Sequence, residues 1–277
     1  MSKVPTSSTL SAAEFFGWKR HPFIDLPGDI GFDTLAVRRD QEVAHRAREF
    51  IKVGRSFAII GTPGVGKTTL SRVVIHTLDQ RSYRPIWLSY AGCNRGGVLR
   101  ILAEKVGLEL NRKGLPPLHK LQRHLAIQQK EPGSAFPVIV VDDAQYLEVE
   151  SLMDLCAILS HPDEQKALAS LVLVGDETLD HILRLESRRA IASRMACIFR
   201  LEALTQDETR NLLARRLEHA KAPKDLFEDD AVELMATQSR GNRRDLMNLG
   251  VRLCIEAHAR EERSITAELV LASTHIQ

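Results

Sequence analysis

Residues 56–68 read SFAIIGTPGVGKT, and this stretch decides the fold. Phe57 to Ile60 make a short apolar run of the kind a strand buried on both faces needs. Gly61, Thr62, Pro63, Gly64, Val65, Gly66, Lys67 and Thr68 then fit G-x-x-x-x-G-K-[ST], and TTLSRVVIHTL continues as a helix. That context is what the motif's mechanics require. The glycines let the loop curl so that backbone N–H groups converge on an anion, and the following helix presents its positive end to the same point. Lys67 is expected on the β- and γ-phosphates of ATP and Thr68 on Mg²⁺, with Thr69 extending the polar lip.

A second apolar run, VIVVDDAQYL at 138–147, ends in two adjacent carboxylates. Such a strand end supplies the acid that holds Mg²⁺ opposite a phosphate loop, and Asp142 is the candidate. Side chains alternate along a strand, so Asp142 and Asp143 are expected to point apart and to do separate work. Asp143 is the candidate for orienting the attacking water. The alternative is that Asp143 caps the following turn.

Working outward, the 277-residue chain is 44% hydrophobic and 27% charged, as a folded globular protein is. Its 38 basic and 36 acidic residues nearly cancel, so any nucleic-acid surface must be a local patch. Cys93, Cys156, Cys197 and Cys254 show no CxxC spacing and suggest neither a zinc site nor a redox pair. No apolar run approaches the ~20 residues of a membrane helix, and the N-terminus lacks a signal-peptide core, so a cytoplasmic protein with no membrane partner is expected.

Strand candidates SFAIIG, RPIWLSY, PVIVVDD, LASLVLVG and CIFRLEAL alternate with helical patterns, which argues for a parallel sheet covered on both faces. Helices are expected from Asp40 to Val53, over GGVLRILAEKVGLEL, from Leu118 to Gln129 and from Ser151 to Leu159. Past Thr205 the pattern is helical only, opening with the capping box Thr205-x-x-Glu208 and continuing over Asp229 to Thr237, Arg243 to Ala259 and Ala267 to Ser273. The expected domains are an N-terminal arm over 1–40 packing on the core and nucleotide, an ATPase domain over 41–203 and a helical domain over 204–277.

FFGWKRHPF, GTPGVGKTTL, VIVVDDAQYL, LVLVGDETL, ASRM and GNRRDLMNL occur in an order that resembles the AAA+ ATPases, specifically the ExeA-like branch that includes transposition helpers of the MuB and TnsC kind. The resemblance implies a P-loop NTPase fold of class α/β: a five-stranded αβα sandwich with a C-terminal helical lid, ATP between them and partly at a subunit interface. It implies that Lys67 and Thr68 contact phosphate and Mg²⁺, and that Asp142 is the metal-side acid. Asp143 stands where the superfamily usually has glutamate. The side chain is shorter by one methylene, roughly 1.3–1.5 Å, and positioning errors near 1 Å can cost ~100-fold in rate, so slow hydrolysis is implied.

By the same resemblance, Asp176 occupies the position of a γ-phosphate sensor, although an anion there is unusual. Arg194, or its competitor Arg189, falls where a neighbouring subunit receives an arginine finger; the alternative is two solvated surface arginines. Arg244 of G-x-x-R would reach the nucleotide, with Arg243 pointing elsewhere; a helix-start pair salt-bridged to Asp245 is the other reading. Pro22 and Phe23 lie where the family wraps adenine, though an arm packing on the core explains them equally.

Arg95 and Arg100 flank Gly96-Gly97, and Arg112 and Lys113 form a second basic loop; either suits sequence-blind contact with duplex DNA. The first functional expectation is therefore an ATP-dependent regulator that assembles as a homo-oligomer, ring or filament, on double-stranded DNA and recruits a transposase. The second is the ATPase of a secretion or envelope-assembly system. It ranks lower because those relatives continue into a membrane helix and a wall-binding domain, whereas this sequence ends at Gln277.

Overall fold

The computed structural model describes residues 11–25, 36–89, 95–110, 114–160 and 166–273. Contacts divide the chain into an α/β unit, 39–63 with 67–201, and a helical unit, 1–38 and 202–277, which also takes in Gly64–Gly66.

The α/β unit is built on five parallel strands: β1 (Ser56–Ile60), β2 (Tyr83–Ser89), β3 (Phe136–Asp142), β4 (Ser170–Gly175) and β5 (Met195–Arg200), in the spatial order β2-β3-β4-β1-β5. Strands β1 and β4 are buried along their whole length, which is why their sequences read as unbroken apolar runs. Helix α2 (Arg38–Lys52) leads into β1, and α3 (Lys67–His76), α4 (Arg95–Val106), α5 (Pro117–Lys130), α6 (Val149–Ile158), α7 (Glu177–Arg184) and α8 (Arg189–Ala192) connect the strands. One apolar cluster runs from Ala58 and Ile60 through Ile139, Val141, Leu171 and Leu173 to the helix residues Leu102, Leu125, Leu155 and Leu179. This is the expected P-loop NTPase α/β fold.

Register fixes where chemistry can gather. Ile60 pairs with Gly175, Val141 with Leu173 and Ser89 with Asp142, so the C-terminal ends of β1, β3 and β4 share one edge of the sheet. Ligands of open α/β folds lie outside that edge.

The helical unit consists of α9 (Gln206–Ala220), α10 (Asp229–Ser239), α11 (Arg243–Ala259) and α12 (Ala267–Ser273), together with the arm helix α1 (Ala12–Phe16). The capping box at Thr205 forms in both directions: Glu208 N donates to Thr205 Oγ1 at 3.2 Å and Thr205 N to Glu208 Oε2 at 2.9 Å. A second capping box, Ser11 with Glu14, starts α1 and was hidden in a Ser/Thr-rich segment.

Over residues 11–25 the arm joins the core of this helical unit. Phe16 stacks on Trp18 at 4.7 Å, Phe15 meets His258 edge-on at 5.0 Å, and Phe23 meets Phe227 edge-on at 5.6 Å. The Phe23 ring also lies directly on Gly250, where any Cβ would collide with it. Arg216, only 5% exposed, donates to Pro22 O at 3.0 Å and to Asp25 Oδ1 at 2.8 Å, pinning the arm to α9.

Candidate functional site

The loop after β1 begins with Gly61 N donating to Gly175 O of β4 at 3.3 Å. Gly64 and Gly66 hold φ of 85° and 100°, a left-handed backbone that glycine adopts without cost. Lys67 opens α3 and folds back on the loop, its Nζ donating to Gly61 O at 2.7 Å and to Thr62 O at 3.0 Å. Burial lowers the Lys67 pKa from its ordinary value, against the charges of Asp176, Glu177, Asp143 and Asp142 in falling order. The ammonium is therefore held in place, partly desolvated and ringed by acids. That setting suits a polyphosphate carrying a divalent cation.

Thr68 Oγ1 donates to Asp142 Oδ1 at 3.3 Å, which brings together the two hard oxygens expected on a cation. Among the described residues no group of three or more His, Cys, Asp or Glu side chains could hold a metal. The donor set fits Mg²⁺, which characteristically takes one or two protein oxygens and completes its shell with water and phosphate. Thr68 and Asp142 could hold it.

Asp143 sits at φ 53° and ψ 41°. Left-handed backbone is uncommon for residues with a side chain, and Asp and Asn are several-fold enriched there. Aspartate at a position where glutamate was anticipated thus has a local conformational reason. Asp143 N donates to Asp142 Oδ1 at 3.1 Å, and Asp143 Oδ1 accepts from Gln145 Nε2 at 3.2 Å. The adjacent acids are thus held by different donors.

Asp176 serves as the N-cap of α7, its Oδ1 accepting from Thr178 N at 2.8 Å. An acid at the end of β4 is thereby explained structurally, since caps of this kind satisfy a helix's free N–H groups. Arg189 and Arg194 are both exposed, and the charge of Arg194 opposes the upward shift that burial imposes on the Cys156 thiol. Arg100 is exposed on α4; the Arg95 side chain, Arg112 and Lys113 lie outside the described residues.

In the helical unit the two arginines at the start of α11 differ in exposure. Arg243 is the buried one, 5% exposed, with Nη1 donating to Val65 O and its stem against Gly66. Arg244 is exposed; its backbone N donates to Asn242 Oδ1 at 3.0 Å and to Gly64 O at 3.2 Å. Asn242 caps α11, also accepting from Asp245 N at 3.3 Å. Pro22 and Phe23 are buried in this same unit, Pro22 through its carbonyl on Arg216 and Phe23 through its ring on Gly250 and Phe227. Gln145 and Arg243 make contacts that sequence reasoning passed over. The only signal for Gln145 was its place two residues after Asp143.

Residues 51–183 match the family model described as an AAA domain, a span that contains the loop, Asp142, Asp143 and Asp176. A curated relative, general secretion pathway protein A of Aeromonas hydrophila, is 25% identical over 253 residues, covering 91% of this chain and 46% of that protein. The chain thus spans less than half the length of that relative. Among solved structures, the Aeropyrum pernix Orc1 protein in complex with DNA superposes with a TM-score of 0.69 at 20% identity, over 93% of this chain and 69% of that one. The Aeropyrum pernix Orc2 protein, solved as ADPNP–ADP complexes, gives 0.66 at 16% identity over 94% and 72%. The likeness to these solved structures is one of fold, the α/β P-loop NTPase fold.

Proposed function

We propose that this protein is a Mg²⁺-dependent ATPase used as an ATP-timed switch. The observation that carries this is the convergence of Lys67, Thr68, Asp142 and Asp143 on one edge of the sheet, with Thr68 and Asp142 already in contact. Backbone N–H groups of 64–68 receive the phosphates, and Lys67 Nζ exchanges Gly61 O and Thr62 O for phosphate oxygens. Thr68 and Asp142 would hold Mg²⁺, whose chemistry there would be to neutralise phosphate charge. Asp143 accepts a hydrogen bond from the attacking water and aligns it. Asp176 acts through water, one oxygen being occupied by the cap. Arg194, with Arg189 as its rival, serves the site of a neighbouring copy, and Arg244 turns its exposed side chain to the nucleotide.

For the machinery served, one reading is a transposition helper that assembles on duplex DNA through Arg95, Arg100, Arg112 and Lys113 and engages a transposase in the cytoplasm. The exposure of Arg100 supports it. The other is an ExeA-like ATPase of a secretion or envelope-assembly system, favoured by the 25% identity to general secretion pathway protein A over 91% of this chain.

The test is duplex-DNA affinity and particle size with ATP, with ADP and without nucleotide, across a salt series. Assembly and salt-sensitive binding that require ATP and vanish in Lys67→Ala support the DNA reading. If ATP yields neither, that reading falls and the secretion reading stands. If wild-type protein neither binds nor hydrolyses ATP, the ATPase proposal itself is refuted.

A further inference from the structure

Gln145 lies in the short 3-10 turn Ala144–Tyr146 that directly follows β3 and packs against β4 and α7. Its two amide atoms are treated very differently. Nε2 donates to Asp143 Oδ1 at 3.2 Å. Oε1 is buried and has no hydrogen-bond partner among the described residues. Reversing the amide would set its carbonyl against the Asp143 carboxylate, so the orientation is fixed by Asp143 alone.

The amide reaches that place because β4 ends in a glycine. A Cβ at Gly175 would stand 2.9 Å from Gln145 Oε1, 2.6 Å from Leu179 Cδ2 and 2.8 Å from Leu179 Cβ. A missing methyl group therefore makes room for an amide whose carbonyl goes unpaired there. A side chain placed for stability would bury a paired carbonyl or an apolar group instead, because an unsatisfied buried acceptor is unfavourable. What the arrangement gains is a donor aimed at the Asp143 carboxylate, which stands on a left-handed backbone.

We infer that Gln145 is a positioning residue: it holds the Asp143 carboxylate in its working direction and links it to the β4 end at Gly175-Asp176. The inference rests on the proposal that Asp143 aligns the attacking water. The bond restricts rotation of the Asp143 side chain, and the Gly175 contact lets movement of the β4 end reach Asp143 through the amide. Loss of the donor should leave nucleotide binding intact and reduce turnover.

Gln145→Met keeps the length without a donor, Gln145→Glu keeps the shape and opposes a second carboxylate to Asp143, and Gly175→Ala displaces the amide from behind. The expected result is a fall in kcat of about 10- to 100-fold for Gln145→Met, on the scale of ~1 Å misplacements, with KM and ADP affinity unchanged. Gln145→Glu falls further. In an Asp143→Asn background, Gln145→Met adds no further loss of kcat. A wild-type kcat in Gln145→Met, or the same fold-loss in the Asp143→Asn background, overturns the inference. Turnover-independent evidence comes from the Gln145 side-chain amide resonances, assigned by their absence in Gln145→Met. These should shift in Asp143→Ala, and an unmoved signal overturns the contact even if the ATPase proposal fails. If Asp143→Asn turns over normally while the amide signal does shift, the water-aligning role falls and the contact survives.

Discussion

Replacing Asp143 by Gly, Asn, Ala and Glu separates its backbone from its chemistry. At φ 53° and ψ 41° the residue pays a left-handed penalty, roughly 1–2 kcal/mol for an ordinary L-residue, nothing for glycine and less for Asp or Asn. Ala and Gly both forfeit the bond from Gln145, so their difference isolates the backbone. Asp143→Gly should exceed Asp143→Ala by about 1 kcal/mol, or about 2–4 °C in Tm for a unit of this size. Asp143→Asn should match wild type within about 0.5 kcal/mol, and Asp143→Glu should fall near alanine. Scanning calorimetry on nucleotide-free protein reads the order; alanine as stable as glycine refutes the conformational reasoning. The same variants report on chemistry. Asp143→Asn should keep ATP affinity and lose about 100-fold or more in hydrolysis. Asp143→Glu should hydrolyse faster than wild type despite lower stability if reach limits the rate. Normal hydrolysis in Asp143→Asn removes the residue from the mechanism.

Burial pushes the thiols of Cys156 and Cys254 up to about 11 and about 12 from 9.0. The unfolded thiols ionise first, so this stability is intact below pH 9 and is lost toward pH 11–12, at about 1.4 kcal/mol per pH unit per thiol. Denaturant titrations from pH 8 to 10 should show the decline, with a shallower slope in Cys254→Ala; an unchanged slope counts against it. Arg216→Met strands the Pro22 carbonyl and should cost about 1–3 kcal/mol. Asp25→Asn, at a partner side chain 66% exposed, should cost under about 1 kcal/mol; equal losses would contradict this. Gly250→Ala drives a methyl into the Phe23 ring and should destabilise by about 1–3 kcal/mol, with Phe23→Leu partly restoring it. Chelation of Mg²⁺ should abolish hydrolysis while ADP binding persists, measured by calorimetric titration; hydrolysis in excess chelator would exclude Mg²⁺ from the reaction.

The strands were legible because parallel strands buried on both faces leave no polar positions to blur them, and SFAII and VIVVDD run straight to their functional ends. The α9 start was legible because its capping box is local. Other features depend on distant partners. Arg243 and Arg244 are chemically equal in sequence, and only the path of the backbone decides that the first is buried on Val65 O. Strand alternation anticipated that Asp143 would turn away from Asp142, but the chain leaves the strand there, so its left-handed backbone went unseen. Gln145 was hidden because its meaning comes from Gly175, thirty residues further on. Helix α7 was missed although LDHILR is amphipathic, since LVLVG drew the reading to the strand before it.

The strand order has a consequence for biosynthesis. β2 and β3 pair with each other, but β1 touches neither; its neighbours are β4 and β5, which begin about 110 residues or more after β1 ends. At roughly 5–20 residues per second, Ser56–Ile60 is made about 6–22 s before β4. Throughout that interval SFAII is an unpaired apolar edge open to other nascent chains. The strand that leads into the phosphate loop thus waits longest for its neighbours, and a chain stalled before Ser170 exposes the segment on which the finished sheet closes.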